Sequence, residues 1–223
     1  MRKRSLVIAI DGPSGAGKGT LARAVATALE YKHVDTGAMY RAVAWKAVYD
    51  GVPLDDEAKV AALADRAVLD STGGHVTIDG HDVTRAIRTP EMDKAAAAVA
   101  RLPRVRDVLG ARQRKLGEHR AVVMEGRDIG SVVFPDADVK VYLDASAEER
   151  ARRRSGDSAH TGGNEGGLAG VQSDLQARDK SDRERPVAPL TLAKDAIYID
   201  TTGMPIEQVV ERVMGIVRNK LAG

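Results

Sequence analysis

Cysteine is absent from the 223 residues, so disulfides and thiolate metal sites are excluded. Aromatic residues are scarce, at 3% with a single Trp and a single Phe, so the core has to be assembled from Ala, Val, Leu and Ile. No window approaches the ~20 apolar residues of a membrane-spanning helix. The apolar run in "MRKRSLVIAI" is too short for a signal sequence and leads directly into a glycine loop, so it reads as a strand. Charge of one sign is not in large excess: 34 Lys+Arg stand against 32 Asp+Glu, a formal +2 that argues against a general nucleic-acid binder. The arginines do cluster, in "ERARRR" and "RDKSDRERP". Also missing is any His or Cys constellation: the five histidines are scattered and read as surface or structural residues. A soluble, cytoplasmic protein is expected.

What is present begins with "GPSGAGKGT", Gly12 to Thr20. Consecutive N–H groups in a glycine-rich turn form a concave anion site, and the dipole of the following helix reinforces it. Gly12, Pro13, Ser14, Gly15, Ala16, Gly17, Lys18, Gly19 and Thr20 are therefore candidate ATP-binding residues, with Lys18 a mobile cation for the β- and γ-phosphates. The usual motif places a Ser or Thr after the Lys as a Mg²⁺ ligand; here that residue is Gly19. Mg²⁺ would then be held mainly by nucleotide phosphates and water, with no protein ligand assigned, and Thr20 would still donate to a phosphate oxygen.

"SLVIAI" before the loop reads as a buried strand. After it, Leu21, Ala24, Val25, Ala28 and Leu29 fall on one helical face. "AVVM", "VKVYL" and "AIYI" repeat the strand pattern between helical stretches, and the last helix aligns Ile206, Val209, Val210, Val213 and Val217. Alternating strands and helices predict an α/β fold, a central parallel sheet covered on both faces. Two regions break the rhythm. "GGHVTIDGHDV" predicts a small hairpin, followed by an Ala-rich helix in "MDKAAAAVAR", and "SGDSAHTGGNEGGLAG" reads as a mobile loop or lid.

Thr36 is expected as a helix N-cap or a polar ligand at a strand end, and Arg41 on the first turns of the next helix. Arg127 and Asp128 should emerge at the C-terminal end of a strand, the edge where open α/β sheets bind ligands. Asp11 and Asp144 also end strands, either to orient Mg²⁺ waters or to cap a helix. Of the arginines ahead of the lid segment, helical spacing lets Arg150, Arg153 and Arg154 converge while Arg152 points elsewhere.

"DGPSGAGKGT", "DTGAMYR", "IRTPE", "LPRVR", "EGRDIGSVVFPDADVKVYLDAS", "SDRERPVAPL" and "YIDTT" occur in the order and spacing of bacterial cytidylate kinases, and the resemblance covers nearly the whole chain. It implies a P-loop three-layer fold in one domain, 1–223. The core would comprise 1–35, 101–150 and 171–223, the acceptor-binding region with its insert 36–100, and the lid 151–170. The implied reaction is transfer of the γ-phosphoryl of ATP to CMP or dCMP, with Mg²⁺, small-molecule partners and a monomer. Carried over by position, Lys18, Arg127, Arg153 and Arg185 would be catalytic. Arg41, Arg127 and Arg185 would clamp the acceptor phosphate, Arg178 and Asp182 hold the pentose, and Arg106 and Asp128 read cytosine, with Thr36 in place of a common Ser. Ala97 stands where the family often has a Ser hydroxyl against the base, and Glu125 where Asp is common. Other readings are a P-loop kinase for UMP, shikimate or a similar acceptor, or a non-catalytic nucleotide- or RNA-binding module.

Overall fold

A computed structural model describes residues 5–71, 73–157 and 167–222. A five-stranded sheet forms its centre, in the order β2 (Lys32–Asp35), β6 (Val122–Gly126), β1 (Val7–Asp11), β7 (Val139–Asp144), β8 (Ile197–Asp200). Every pairing is parallel. β1 and β6 are buried along their whole length, as befits strands covered on both faces.

Alternation along the strands sorts side chains into two cores. Val7 and Ala9 of β1 and Val122 and Met124 of β6 enter one; Ile8, Ile10 and Val123 enter the other. The first core is completed by α2 (Thr36–Tyr49), α3 (Glu57–Arg66), α4 (Pro90–Val99) and α5 (Pro103–Gly117), the second by α1 (Lys18–Leu29) and α8 (Ile206–Ala222). Ala contributes widely to the first, including Ala38, Ala42, Ala44, Ala47, Ala61 and Ala64. Small side chains let helices approach closely and offset the shortage of aromatic volume.

The expected face of α1 is rotated. Leu21, Ala22, Val25 and Ala26 are the apolar residues it buries, while Ala28 is exposed. The helix sits between β6 and α8, so two adjacent i, i+4 rows are covered rather than the single expected stripe. In α8, Val209, Val213 and Val217 are buried, with Ile206 and Val210 at the margin.

The expected hairpin is β4 (Thr77–Ile78) against β5 (His81–Asp82), and β3 (Leu69–Asp70) adds a third antiparallel strand. α4 follows, started by Thr89, whose hydroxyl accepts from the Met92 N–H at 3.3 Å, with Pro90 in the first turn. Beyond the sheet, α6 (Ala147–Ser155) and α7 (Gly167–Glu184) pack on each other through Ala151, Val171 and Leu175. The centre of the segment read as a lid, residues 158–166, lies outside the described residues.

Candidate active site

The strand ends β1, β2, β6 and β7 point toward one cleft of about 530 Å³. The glycine loop forms one wall. Gly12 has φ 143°, and a Cβ there would lie 2.0 Å from the Leu143 carbonyl oxygen of β7. Gly15 has φ 79° and would press a Cβ to 2.9 Å from the Arg150 carbonyl oxygen. Neither position admits a side chain. Gly17, with φ 93°, caps α1 without any side-chain bond to its first-turn N–H groups, so those donors remain available to an anion. Ser14 to Thr20 line the cleft; Gly12 and Pro13 do not.

Lys18 is buried, and its Nζ donates to the Pro13 carbonyl at 2.7 Å. Burial, reinforced by the nearby Arg127, lowers its pKa to about 7. Gly19 answers the question raised by its missing hydroxyl. A Cβ at this position would lie 3.2 Å from Glu125 Oε1, so the carboxylate at the end of β6 already occupies that space. Glu125 is in turn held 3.0 Å from His33 Nε2.

Four arginines precede the Gly-rich segment, and they diverge more than helical spacing implied. Arg153 lies across the loop, donating to the Thr201 carbonyl at 2.7 Å and the Ala16 carbonyl at 3.4 Å. Arg154 pairs with Asp93 of α4. Arg150 does not join them. It is buried against Asp179 at 2.5 Å and the Ser14 carbonyl at 3.0 Å, which fastens α6 and α7 to the glycine loop. A buried guanidinium needs such a counter-charge, and this need outweighs the helical register. Arg152 is exposed and pairs with Glu149.

Across the cleft, Asp35 rather than Thr36 caps α2, accepting from the Ala38 N–H at 2.9 Å. Thr36 is the first helical residue, and its hydroxyl donates to the Glu125 carbonyl at 2.7 Å. Arg41 donates to Asp35 at 3.1 Å. Burial raises the Asp35 pKa, but Arg41 and the Ala38 N–H outweigh it and hold the group below the ordinary carboxylate value.

The remaining expected residues form one chain of alternating charge. Arg106 pairs with Asp128, which accepts from Arg185 at 3.2 Å. Arg185 approaches Asp182 at 3.8 Å, and Asp182 accepts from Arg127 at 2.9 Å. Asp182 is buried, yet Arg127 and Arg178 keep its pKa below the ordinary value. Burial and Arg106 lower the pKa of Arg185. Arg178 completes the wall and meets Asp93 at 2.8 Å. Residues from α5, from α7 and from the segments just after β6 and α7 are thus brought together by the fold. Three donors in the cleft, Nε of Arg41, Arg106 and Arg178, are buried without a hydrogen-bond partner among the described residues. Such donors are costly to leave unpaired, and an anionic or hydroxyl-bearing ligand would satisfy them.

The sequence agrees with this geometry over its length. The model for the family described as cytidylate kinase matches residues 8–219. Cytidylate kinase from Desulfitobacterium hafniense (strain Y51) is 47% identical, over 98% of this chain and 95% of its own. That from Geobacillus sp. (strain WCH70) is 44% identical, over 98% and 99%. The chain belongs to the cytidylate kinase family. It is therefore a nucleoside monophosphate kinase, a phosphotransferase of the family that phosphorylates CMP. A solved structure of shikimate kinase from Bacteroides thetaiotaomicron aligns with 96% of this chain and 99% of its own at TM-score 0.50 and 14% identity, a likeness of fold alone.

Several residues of the kinase site carried weak signals or none. Tyr40 lies under Arg106, whose Cζ is 5.5 Å from the ring centroid; it sits inside "DTGAMYR" and was recoverable from that motif. Thr201 and Met204 line the cleft from the loop after β8. His33 and Asp93 belong to no motif and gain their positions only through packing. Ala97 does line the cleft, with Ala96 and Ala100 beside it. Asp144 accepts from the Ala145 N–H at 2.9 Å, and Ser146 is the cap of α6. No helix among the described residues is long and apolar enough to cross a membrane.

Proposed function

We propose that the kinase transfers the γ-phosphoryl group of ATP to CMP or dCMP, releasing ADP and CDP or dCDP. The observation that carries this reading is the charge chain Arg106–Asp128–Arg185–Asp182–Arg127 lining the same cleft as the glycine loop. One wall suits a polyphosphate; the other suits a phosphate attached to a polar base.

In this assignment the N–H groups from Ser14 to Thr20 and the Lys18 ammonium take the ATP phosphates, with Arg153 above them. The adenine end falls to the space bounded by Arg153, Thr201 and Met204. Arg41, Arg127 and Arg185 hold the acceptor phosphate, for which a planar guanidinium offers two parallel donors. Arg178 and Asp182 take the pentose hydroxyls, and Thr36 lies beside the acceptor. Arg106 and Asp128 read the base. A carboxylate has about four lone-pair sites, so Asp128 accepts from two arginines and still takes the 4-amino group of cytosine. Uracil presents an oxygen there, acceptor against acceptor, a mismatch that a desolvated site rejects strongly.

Among the described residues no group of three or more His, Cys, Asp or Glu could hold a metal ion. With Gly19 offering no hydroxyl, Mg²⁺ would be carried mainly on the nucleotide phosphates and water. The ion would supply charge neutralisation on the phosphates. The acceptor phosphate, with a second pKa of about 6, is largely dianionic at neutral pH and attacks without a protein base. What the chain supplies is positive charge: unit charges ~4 Å apart interact by ~4 kcal/mol at an effective dielectric of 20, so two polyanions meet only where cations offset them. The kinase is taken to act as a cytoplasmic monomer.

A coupled assay with MgATP and a panel of CMP, dCMP, UMP and AMP tests the reading. CMP and dCMP are expected to dominate. Equal turnover of UMP and CMP would overturn the base-reading role and favour a UMP kinase.

A further inference from the structure

Asp11, the last residue of β1, immediately precedes the glycine loop and is 6% exposed. It binds neither helix α1 nor any loop N–H. Its Oδ1 accepts from the Ile129 N–H at 2.8 Å and its Oδ2 from the Gly130 N–H at 2.7 Å. Those two amides open the π-helical turn Ile129–Val133, directly after Arg127 and Asp128. The parallel ladder fixes the approach, since Asp11 is in register with Gly126. Gly130 leaves the space: a Cβ there would lie 3.3 Å from Asp11 Oδ2 and 3.2 Å from Lys140 Cδ.

Asp128 stands at the N-cap position of this turn, where an Asp side chain ordinarily accepts from the N–H groups that follow it. It makes no such bond. Both of its oxygens go instead to Arg106 and Arg185. The orphan amides of the turn would be costly to leave buried and unpaired. Asp11 satisfies them from another strand.

We propose that Asp11 is a positioning residue for acceptor recognition. By taking the Ile129 and Gly130 N–H groups it fixes the turn that carries Arg127 and Asp128, and it releases both oxygens of Asp128 for the arginines and the base. The inference rests on the assignment of Arg127 and Asp128 made above. It also links the two half-sites, because the residue that fixes the acceptor turn is the one from which the ATP loop departs.

The test is Asp11→Asn in the full chain. The amide keeps one acceptor and turns N–H₂ toward the other backbone N–H, so the turn shifts and Asp128 is drawn back toward capping. A displacement near 1 Å can cost about 10²-fold. The expected result is a KM for CMP raised by roughly tenfold or more, CMP-over-UMP preference reduced several-fold, and a KM for MgATP within about twofold of the parent. A lowered melting temperature with the KM for CMP and the base preference unchanged, or KM values for CMP and ATP rising in equal proportion, would overturn the proposal. Gly130→Ala, whose methyl presses on Asp11 Oδ2 and Lys140, is the second variant should the first not fold; it is judged by the same split between CMP and ATP. Asp128→Asn is measured in parallel. If its base preference equals the parent's, the base-reading assignment fails, and Asp11 is then judged on the CMP-to-ATP split alone, which reads the placement of Arg127.

Discussion

The two walls of the cleft are built by different means. The donor wall is backbone: Gly12 packs on the Leu143 carbonyl, Gly15 on Arg150, and the N–H groups around Gly17 are left open at the start of α1. The acceptor wall is side chain: Arg41, Arg106, Arg127, Arg178 and Arg185 each have a carboxylate partner. The backbone cradle is fixed by main-chain packing, at φ values and close approaches that only glycine allows. An array of arginines would repel itself, and the carboxylates act as internal counter-ions that hold it in place.

Breaking the acceptor wall at the point closest to the chemistry should have the largest effect. Arg127→Ala is expected to lower kcat/KM for CMP by about 10²–10³-fold, as loss of a transition-state donor does, measured by steady-state kinetics; a near-normal rate would reject its role. On the donor wall, Gly12→Ala sets a methyl against the Leu143 carbonyl at a φ of 143°, where L side chains are strained. A loss of roughly 3 kcal/mol in stability is expected, with loss of ATP binding, followed by thermal unfolding and nucleotide titration. A smaller effect is expected of Asp93→Ala, which strips the partner common to Arg154 and Arg178. The ligand-free kinase should lose about 1 kcal/mol, and the nucleotide-bound form less, because phosphates and hydroxyls replace the carboxylate. Equal losses in both forms would mean that Asp93 does not compete with the ligand.

The smallest signal separates the walls by pH. Burial holds the Lys18 pKa at about 7, below its ordinary 10.5. Between these values the unfolded chain binds a proton that the ligand-free fold refuses. Lys18 therefore contributes stability that is present above pH 10.5 and lost as pH falls through about 7. ATP phosphates favour the charged ammonium, so ATP binding above pH 7 should take up protons and weaken as pH rises. Calorimetric titrations in two buffers of different ionisation enthalpy measure the uptake; none at pH 8 would mean that Lys18 does not meet the phosphates.

The same contrast explains what the sequence revealed. The glycine loop is contiguous, and its φ values, its strand and its helix follow from local residues, so it was legible from Gly12 to Thr20. The parallel sheet was equally legible, because fully buried strands leave uninterrupted apolar runs in a chain. On the acceptor wall, motif resemblance selected residues that the fold does bring together. It gave no information about pairing, because the meeting of Asp128 with both Arg106 and Arg185 depends on how α5 and α7 dock. Arg150 shows the limit most clearly. Its helical spacing matched Arg153 and Arg154, but a buried Asp179 from another helix outweighed the local pattern. Thr36 shows the reverse: it was expected as the cap, and backbone geometry gave that place to the preceding Asp35.

The missing hydroxyl at Gly19 has a consequence for anyone rebuilding this loop. A serine introduced at that position would carry its first carbon to 3.2 Å from Glu125, itself braced by His33. Grafting the commoner motif thus reaches beyond one position, because the tip of the glutamate must give by a few tenths of an ångström to seat the serine.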